Sequence, residues 1–285
     1  MKATRAEIVG YISDRIASLY PESECRHIAR MVAAALSHET ESKYLIEPNE
    51  VVEIENIEHC VEELANGRPV QYVIGRADFC GEEFIVREGV LIPRPETEEL
   101  VMWAMECAEG REKVDILDAC TGSGCIAIAL KKRVRSATVT AIDLSDEALR
   151  IARENAAKLN AEVEFLKDDA LQGLESIDGR KFDIIVSNPP YIPQSEISAM
   201  HINVTDHEPH MALFVDDNDP LIFYREIARV AKNALSDNGF LLFEIHETLA
   251  EQTAEMLGRE GFCNIEIRHD FRLKPRMICC QPNQK

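Results

Sequence analysis

The 285 residues carry 31 Lys and Arg against 51 Asp and Glu, a formal net charge of −20, with 46% hydrophobic residues. This length and composition suit one large folded domain plus a small one and argue against disorder. So acidic a chain lacks the cationic surplus that grips duplex DNA non-specifically; a protein or small-molecule partner is expected. The nine cysteines are odd in number and contain no Cys-x-x-Cys pair, which argues against a zinc ribbon or a thioredoxin-like site. No stretch approaches the length of a membrane span, and the N-terminus lacks an uninterrupted apolar run, so a soluble, reduced, cytoplasmic protein is expected.

Taken in order, Thr4 to about Gly67 reads as three helices. Thr4-Arg5-Ala6-Glu7 has the form of a capping box, with Ile8, Ile12 and Ile16 on one face. Ile28, Val32 and Leu36 mark a second helix, and Val51, Ile54, Ile57, Val61 and Leu64 a third. No titratable cluster there suggests chemistry; His27 and His38 have no neighbours at metal-ligand spacing. Phe79 to Val86 and Val90 to Ile92 read as strands joined through Arg87-Glu88-Gly89, a hairpin linking this part to the next. Pro93-Arg94-Pro95-Glu96-Thr97-Glu98 then feeds a helix carrying Leu100, Val101 and Met105; Arg94 is either a surface arginine or a residue of the later site.

From Val114 strands alternate with helices, which predicts βαβ units and a parallel sheet. Strands are expected at Val114 to Asp118, Ala137 to Ile142, Val163 to Leu166, Phe182 to Val186 and Gly239 to Ile245, and a helix from Asp219-Pro220 to about Leu235. Two last strands, Ile265 to His269 and Met277 to Cys280, are joined too closely for a parallel crossover and should be antiparallel.

Two stretches carry chemistry. Gly122-Ser123-Gly124-Cys125-Ile126-Ala127 fits a dinucleotide fingerprint, with Asp143 about twenty residues on at a strand end, so a nicotinamide-dependent enzyme is the first rival. The loop is lined by acids, however: Asp118 can meet a cationic amino group, Asp143 the ribose hydroxyls, and Asp168-Asp169 an adenine amine. That suits S-adenosylmethionine better than a pyrophosphate. The second stretch is Ser187-Asn188-Pro189-Pro190-Tyr191, at the carboxyl end of a strand, where open α/β sheets bind ligands. The prolines hold the loop extended, so the Asn188 side-chain carbonyl and a backbone carbonyl can stand as two fixed acceptors for a planar NH2 group beside Tyr191. His201, His207 and His210 invite a metal reading, but their spacings on a loop do not favour one, and no metal is expected.

Asp118 to Ala127, Asp143 and Asn188-Pro189-Pro190-Tyr191 resemble class I S-adenosylmethionine-dependent N-methyltransferases. Arg68 to Gly75, Phe79, Gly81, Phe84 and Leu91 to Glu98, which include Pro-Arg-Pro-Glu-Thr-Glu, are similar to the HemK/PrmC family, which methylates the glutamine amide of the Gly-Gly-Gln motif in class I peptide chain release factors. The resemblance implies a helical domain over 1–75 for substrate recognition, a β-hairpin linker over 76–92, and over 93–285 a Rossmann-like α/β methyltransferase domain with a mostly parallel sheet and an antiparallel last strand. It implies S-adenosyl-L-methionine as cofactor, held by Asp118, Cys120, Thr121, Gly122, Ser123, Gly124, Asp143, Asp169, Ala170 and Asn188. Asn188, Pro189 and Tyr191 would act in catalysis, and Asn188, Pro189, Pro190 and Tyr191 would hold the acceptor. A release factor is the expected partner, with no membrane and no direct nucleic acid. The alternatives are a ribosomal-protein glutamine, an adenine of nucleic acid, or a non-catalytic cofactor-binding module. Departures from the family pattern are Cys120 and Leu273 where glycine is usual, Ala170 where an aromatic is common, Pro275 where Asp is commoner, and His246 in place of glycine.

Overall fold

In a computed structural model that describes residues 1–283, the chain forms two compact units. The first comprises Met1–Arg76 together with Met200–His207. Its helices are Arg5–Ile16, Glu22–Ser37, Glu41–Ile46, Ile57–Ala65 and Val70–Ile74. Thr4 closes the expected capping box, its N–H donating to Glu7 Oε2 at 2.9 Å. Ile8, Ile12, Ile16, Val32, Ile57 and Leu64 form the core. Arg5 is buried with them and is held by Glu39 through two hydrogen bonds of 2.9 Å; a guanidinium is tolerated there only because its charge and its planar fork are both matched. The expected third helix is shorter than its apolar pattern. Val51–Glu53 is instead a strand paired antiparallel with Lys2–Thr4, and Asn56, in the left-handed region at φ 55°, separates it from the helix. Two adjacent β-branched residues favour the strand, and the left-handed residue breaks the helical path. His201 caps the short helix Ile202–Thr205 and stacks on Tyr20 with ring centroids 5.2 Å apart.

The second unit comprises Ala77–Ala199 and the chain from Glu208 on. Its hairpin pairs Arg76–Phe79 with Glu82–Ile85, so the turn lies at Cys80-Gly81 and not at the expected Arg87-Glu88-Gly89. Cys80 and Gly81 both have positive φ, 51° and 72°, the requirement of the two-residue turn that matches strand twist. Val90 to Ile92 is not a strand.

The large sheet is built from β1 (Val114–Ala119), β2 (Ala137–Asp143), β3 (Val163–Lys167), β4 (Phe182–Ser187), β5 (Leu235–Glu244), β6 (Phe262–His269) and β7 (Pro275–Pro282), in the order β6-β7-β5-β4-β1-β2-β3. β3 to β5 run parallel through β2, β1 and β4, and β7 is antiparallel to both β5 and β6, as the short final connection requires. Helices Pro95–Ala108 and Cys125–Arg133 supply one buried face, Ile222–Ala234 and Ala250–Glu260 the other. The helix expected from Pro220 begins only at Ile222. β1 has β4 on one side and β2 on the other, so the connections leave it in opposite directions; the crevice this opens at the carboxyl ends is the usual ligand position. The register sets Ala119 beside both Ser187 and Ile142, which brings the loops after β1, β2 and β4 to one edge.

The tip between β6 and β7 is folded on Asp270, whose carboxylate accepts from the backbone of Arg272 at 2.9 Å and Lys274 at 3.0 Å. Leu273 in that tip has φ 62° and is 81% exposed. A left-handed non-glycine residue costs about 1–2 kcal/mol and glycine loses about 0.5–1 kcal/mol in chain entropy, so Leu273→Gly, which removes little buried surface, should stabilise the fold by about 0.5–1 kcal/mol. A raised denaturant midpoint with an unchanged m-value is the expected reading.

Candidate active site

The loop after β1 is held by two carboxylates. Asp118, next to last in the strand, is fully buried; its Oδ2 accepts from the Thr121 hydroxyl and from the Ala127 N–H at 3.1 Å. Burial pushes this carboxyl up to about 7. Asp143 ends the exposed-loop side of β2, and its two oxygens accept from Gly122 N at 2.8 Å and Ser145 N at 2.9 Å; burial raises its pKa as well. Each acid thus ties the glycine turn to a strand end. Cys120 has φ 61°, a conformation that explains why glycine is usual in the resembling family. Burial, with Asp143 and Asp118 nearby, pushes its thiol up, so it stays neutral.

The two glycines serve different ends. A Cβ on Gly122 would meet nothing within 4 Å, so the backbone there faces open space that a ligand can approach. On Gly124 it would come within 3.1 Å of both Ala152 Cβ and Ile128 Cδ1; that glycine, at φ 82°, starts helix Cys125–Arg133 and allows close helix packing.

One pocket collects most of the residues singled out in the sequence: Cys120, Thr121, Gly122, Ser123, Asp143, Asp169, Ala170, Asn188 and Pro190 all line it. Ile142, Leu144 and Leu171 give it apolar walls, and Arg94, Thr97 and Phe223 join from other elements. Asp118, Gly124, Pro189 and Tyr191 do not line it; Asp118 stands behind the loop and Gly124 at the helix start. Asp169 accepts from Leu171 N at 2.9 Å and Gln172 Nε2 at 3.0 Å, which fixes the turn carrying Ala170. The histidines at 201, 207 and 210 do not gather: among the described residues no three metal-ligating side chains cluster.

Behind the Asn-Pro-Pro-Tyr turn lies a buried polar network. Asn188 Nδ2 donates to Thr97 Oγ1 at 3.3 Å, Thr97 Oγ1 donates to Glu244 Oε2 at 2.6 Å, and the Tyr191 hydroxyl donates to Glu244 Oε1 at 2.9 Å. Glu244 is 2% exposed at the end of β5; burial pushes its carboxyl up, while the two hydroxyls and Arg276 pull it down. Tyr191 therefore spends its hydroxyl inside the protein. Thr97, Glu244 and Arg276 were not among the residues expected from sequence. Their signal was positional: Glu244 ends a parallel strand at the ligand edge, and Thr97 sits in the first turn of a helix feeding that edge. Arg94, left open in the sequence, pairs with Glu208, whose other oxygen accepts from Ile92 N at 3.0 Å.

Residues 99–206 match the family model described as Methyltransferase small domain. A release factor glutamine methyltransferase of Flavobacterium psychrophilum is 40% identical over 92% of this chain and 94% of the relative. One of Bacteroides thetaiotaomicron is 38% identical over 95% and 98%. Among solved structures, a methyltransferase from Pyrococcus furiosus matches 72% of this chain and 91% of its own with a TM-score of 0.53 at 16% identity. A 16S rRNA N2 G1207 methyltransferase of T. thermophilus, in complex with AdoMet and guanosine, matches 73% of this chain and 50% of its own with a TM-score of 0.51 at 17% identity. The fold is that of class I S-adenosylmethionine-dependent methyltransferases, and the chain belongs to the release factor glutamine methyltransferase family.

Proposed function

We propose that the chain transfers a methyl group from S-adenosyl-L-methionine to the side-chain amide nitrogen of the glutamine in the Gly-Gly-Gln motif of class I peptide chain release factors. The observation that carries this reading is the placement of Asn188, tethered by its Nδ2, on the same pocket as the glycine turn and Asp143. The pocket suits the donor: Gly122 leaves room for close backbone approach, Asp143 has lone pairs left for ribose hydroxyls, and the Asp169-Ala170-Leu171 turn lines the same pocket. S-adenosyl-L-methionine supplies a methyl carbon made electrophilic by the attached sulfonium.

The protein's task is to prepare a poor nucleophile. An amide lone pair is delocalised into its carbonyl. Asn188 Oδ1 and the Pro189 backbone carbonyl accept the two N–H bonds of the incoming amide and fix its plane, so that the lone pair is directed at the methyl carbon. With the amide so held, its nitrogen would form the N–C bond as the donor's S–C bond breaks to a neutral thioether, and the nitrogen, then acidic, would release its proton to water. No prior general base is needed. Tyr191, with its hydroxyl on Glu244, contributes a packed ring and not a proton.

On the same reading the N-terminal helical unit serves recognition of the protein substrate, and the enzyme works in the cytoplasm; its nine cysteines are all free thiols, which suits a reducing compartment. Among the described residues no helix is long and apolar enough to cross a membrane. The test is transfer of labelled methyl to a purified class I release factor, to the same factor with its Gly-Gly-Gln glutamine changed, to ribosomal protein and to duplex DNA. Label on the intact factor only is expected. Label on ribosomal protein or DNA would move the acceptor elsewhere.

A further inference from the structure

We propose that Thr97 is a positioning residue that sets which end of the Asn188 side chain faces the acceptor; this rests on the role given to Asn188 above. The two ends of an asparagine amide are nearly the same size, yet only the oxygen can accept. Turned about its last bond, Asn188 would offer an NH2 group to the NH2 group of the incoming glutamine, donor against donor. Something must hold it the right way round.

The network does this by exhausting donors in order. An ionised carboxylate accepts only, and Glu244 takes one hydroxyl on each oxygen, Tyr191 at 2.9 Å and Thr97 at 2.6 Å. The Tyr191 phenol stays protonated, because burial and the adjacent Glu244 push its pKa well up. Arg276, held by its Nε on Asp270 Oδ2 at 3.1 Å, lies near enough for its charge to favour the ionised form of Glu244. With its proton committed to Glu244, Thr97 Oγ1 has only lone pairs to offer Asn188. The amide end that meets it at 3.3 Å must be Nδ2, and Oδ1 is left for the acceptor. Thr97 is 2% exposed, so solvent offers no competing partner. Thr97 stands in the first turn of helix Pro95–Ala108, and its bond to Glu244 keeps the lone pairs aimed.

The experiment measures kcat, the KM for the release factor, and cofactor affinity of the full chain with Thr97→Val, Thr97→Ser and, in parallel, Asn188→Ala. Thr97→Val keeps the shape and removes the hydroxyl; it should lower kcat by about 10- to 100-fold, with cofactor affinity and acceptor KM within about threefold of the parent. Thr97→Ser, which restores the hydroxyl, should recover kcat to within about threefold, a rescue that a merely structural role would not require. If Thr97→Val does not melt cooperatively, Thr97→Ala is read against the same limits. A folded variant lacking the hydroxyl that turns over like the parent, while Asn188→Ala is inactive, overturns the proposal and leaves the role of Asn188 standing. Full turnover by Asn188→Ala overturns both.

Discussion

Asn188→Ala is expected to lower kcat for glutamine methylation by about 10²- to 10³-fold, the scale seen when one preorganised hydrogen-bonding group is removed from a polar transition state. The acceptor amide acquires positive character at nitrogen as the methyl arrives. Its N–H bonds then donate more strongly than in the ground state, so an acceptor at Oδ1 stabilises the transition state more than the bound substrate. The loss should therefore fall on kcat and less on KM. Fold and cofactor site should survive, because among the described residues the Asn188 side chain makes one hydrogen bond, the 3.3 Å link to Thr97, and Gly122 and Asp143 are held independently by each other. Single-turnover kinetics with calorimetric titration of the cofactor make the measurement. Near-parent turnover would remove the amide-clamp mechanism, and a parallel loss of cofactor binding would show that Asn188 acts through the pocket's shape.

The second large effect is expected at Asp143. Asp143→Ala should weaken S-adenosyl-L-methionine binding by about 100-fold, or about 3 kcal/mol, since it removes ligand acceptors and also the group that accepts from Gly122 N and Ser145 N. Two part-buried N–H groups lose their partner, and the glycine turn is no longer tied to β2 before the ligand arrives. Asp143→Asn keeps one carbonyl acceptor and should lose less. Calorimetry on the purified variants gives the affinities. Unchanged binding by Asp143→Ala would mean that the ribose side of the donor is held elsewhere.

The large sheet was readable in the sequence because its buried parallel strands are continuous apolar runs, such as Phe182 to Val186, each closed by a turn or an acid at the ligand edge. The pocket followed, since residues placed at neighbouring strand ends must converge once the register is set, and Ala119, Ile142 and Ser187 do align. What sequence could not supply lay in pairings between distant segments. Val51–Glu53 continues the apolar pattern of the helix after it and becomes a strand only because Lys2–Thr4 lies alongside. The hairpin turn was misplaced because Cys80 is not a residue that announces positive φ, whereas the glycine at 89 does. Thr97 stood in the sequence only as one residue of the Pro-Arg-Pro-Glu-Thr-Glu stretch; its pairing with Glu244, 147 residues away through one hydrogen bond, had no signal there. Tyr191 was placed correctly along the chain, but its hydroxyl was engaged by a partner invisible until β4 and β5 lay side by side.

The grouping of Met200–His207 with Met1–Arg76 has a consequence for connectivity. The backbone passes between the two units three times, at 76–77, 199–200 and 207–208. Gly67 packs closely beneath Ile202, whose Cγ2 a Cβ would meet at 3.3 Å, and His201 lies against Tyr20, so this excursion belongs to the packing of the first unit. A protease cutting once after Arg76 does not yield two free-standing proteins, because the second fragment still carries a piece of the first. Nor can the sheet-bearing unit be exchanged among relatives as a cassette with its boundary at 77: the segment Met200–His207 has to travel with its helices.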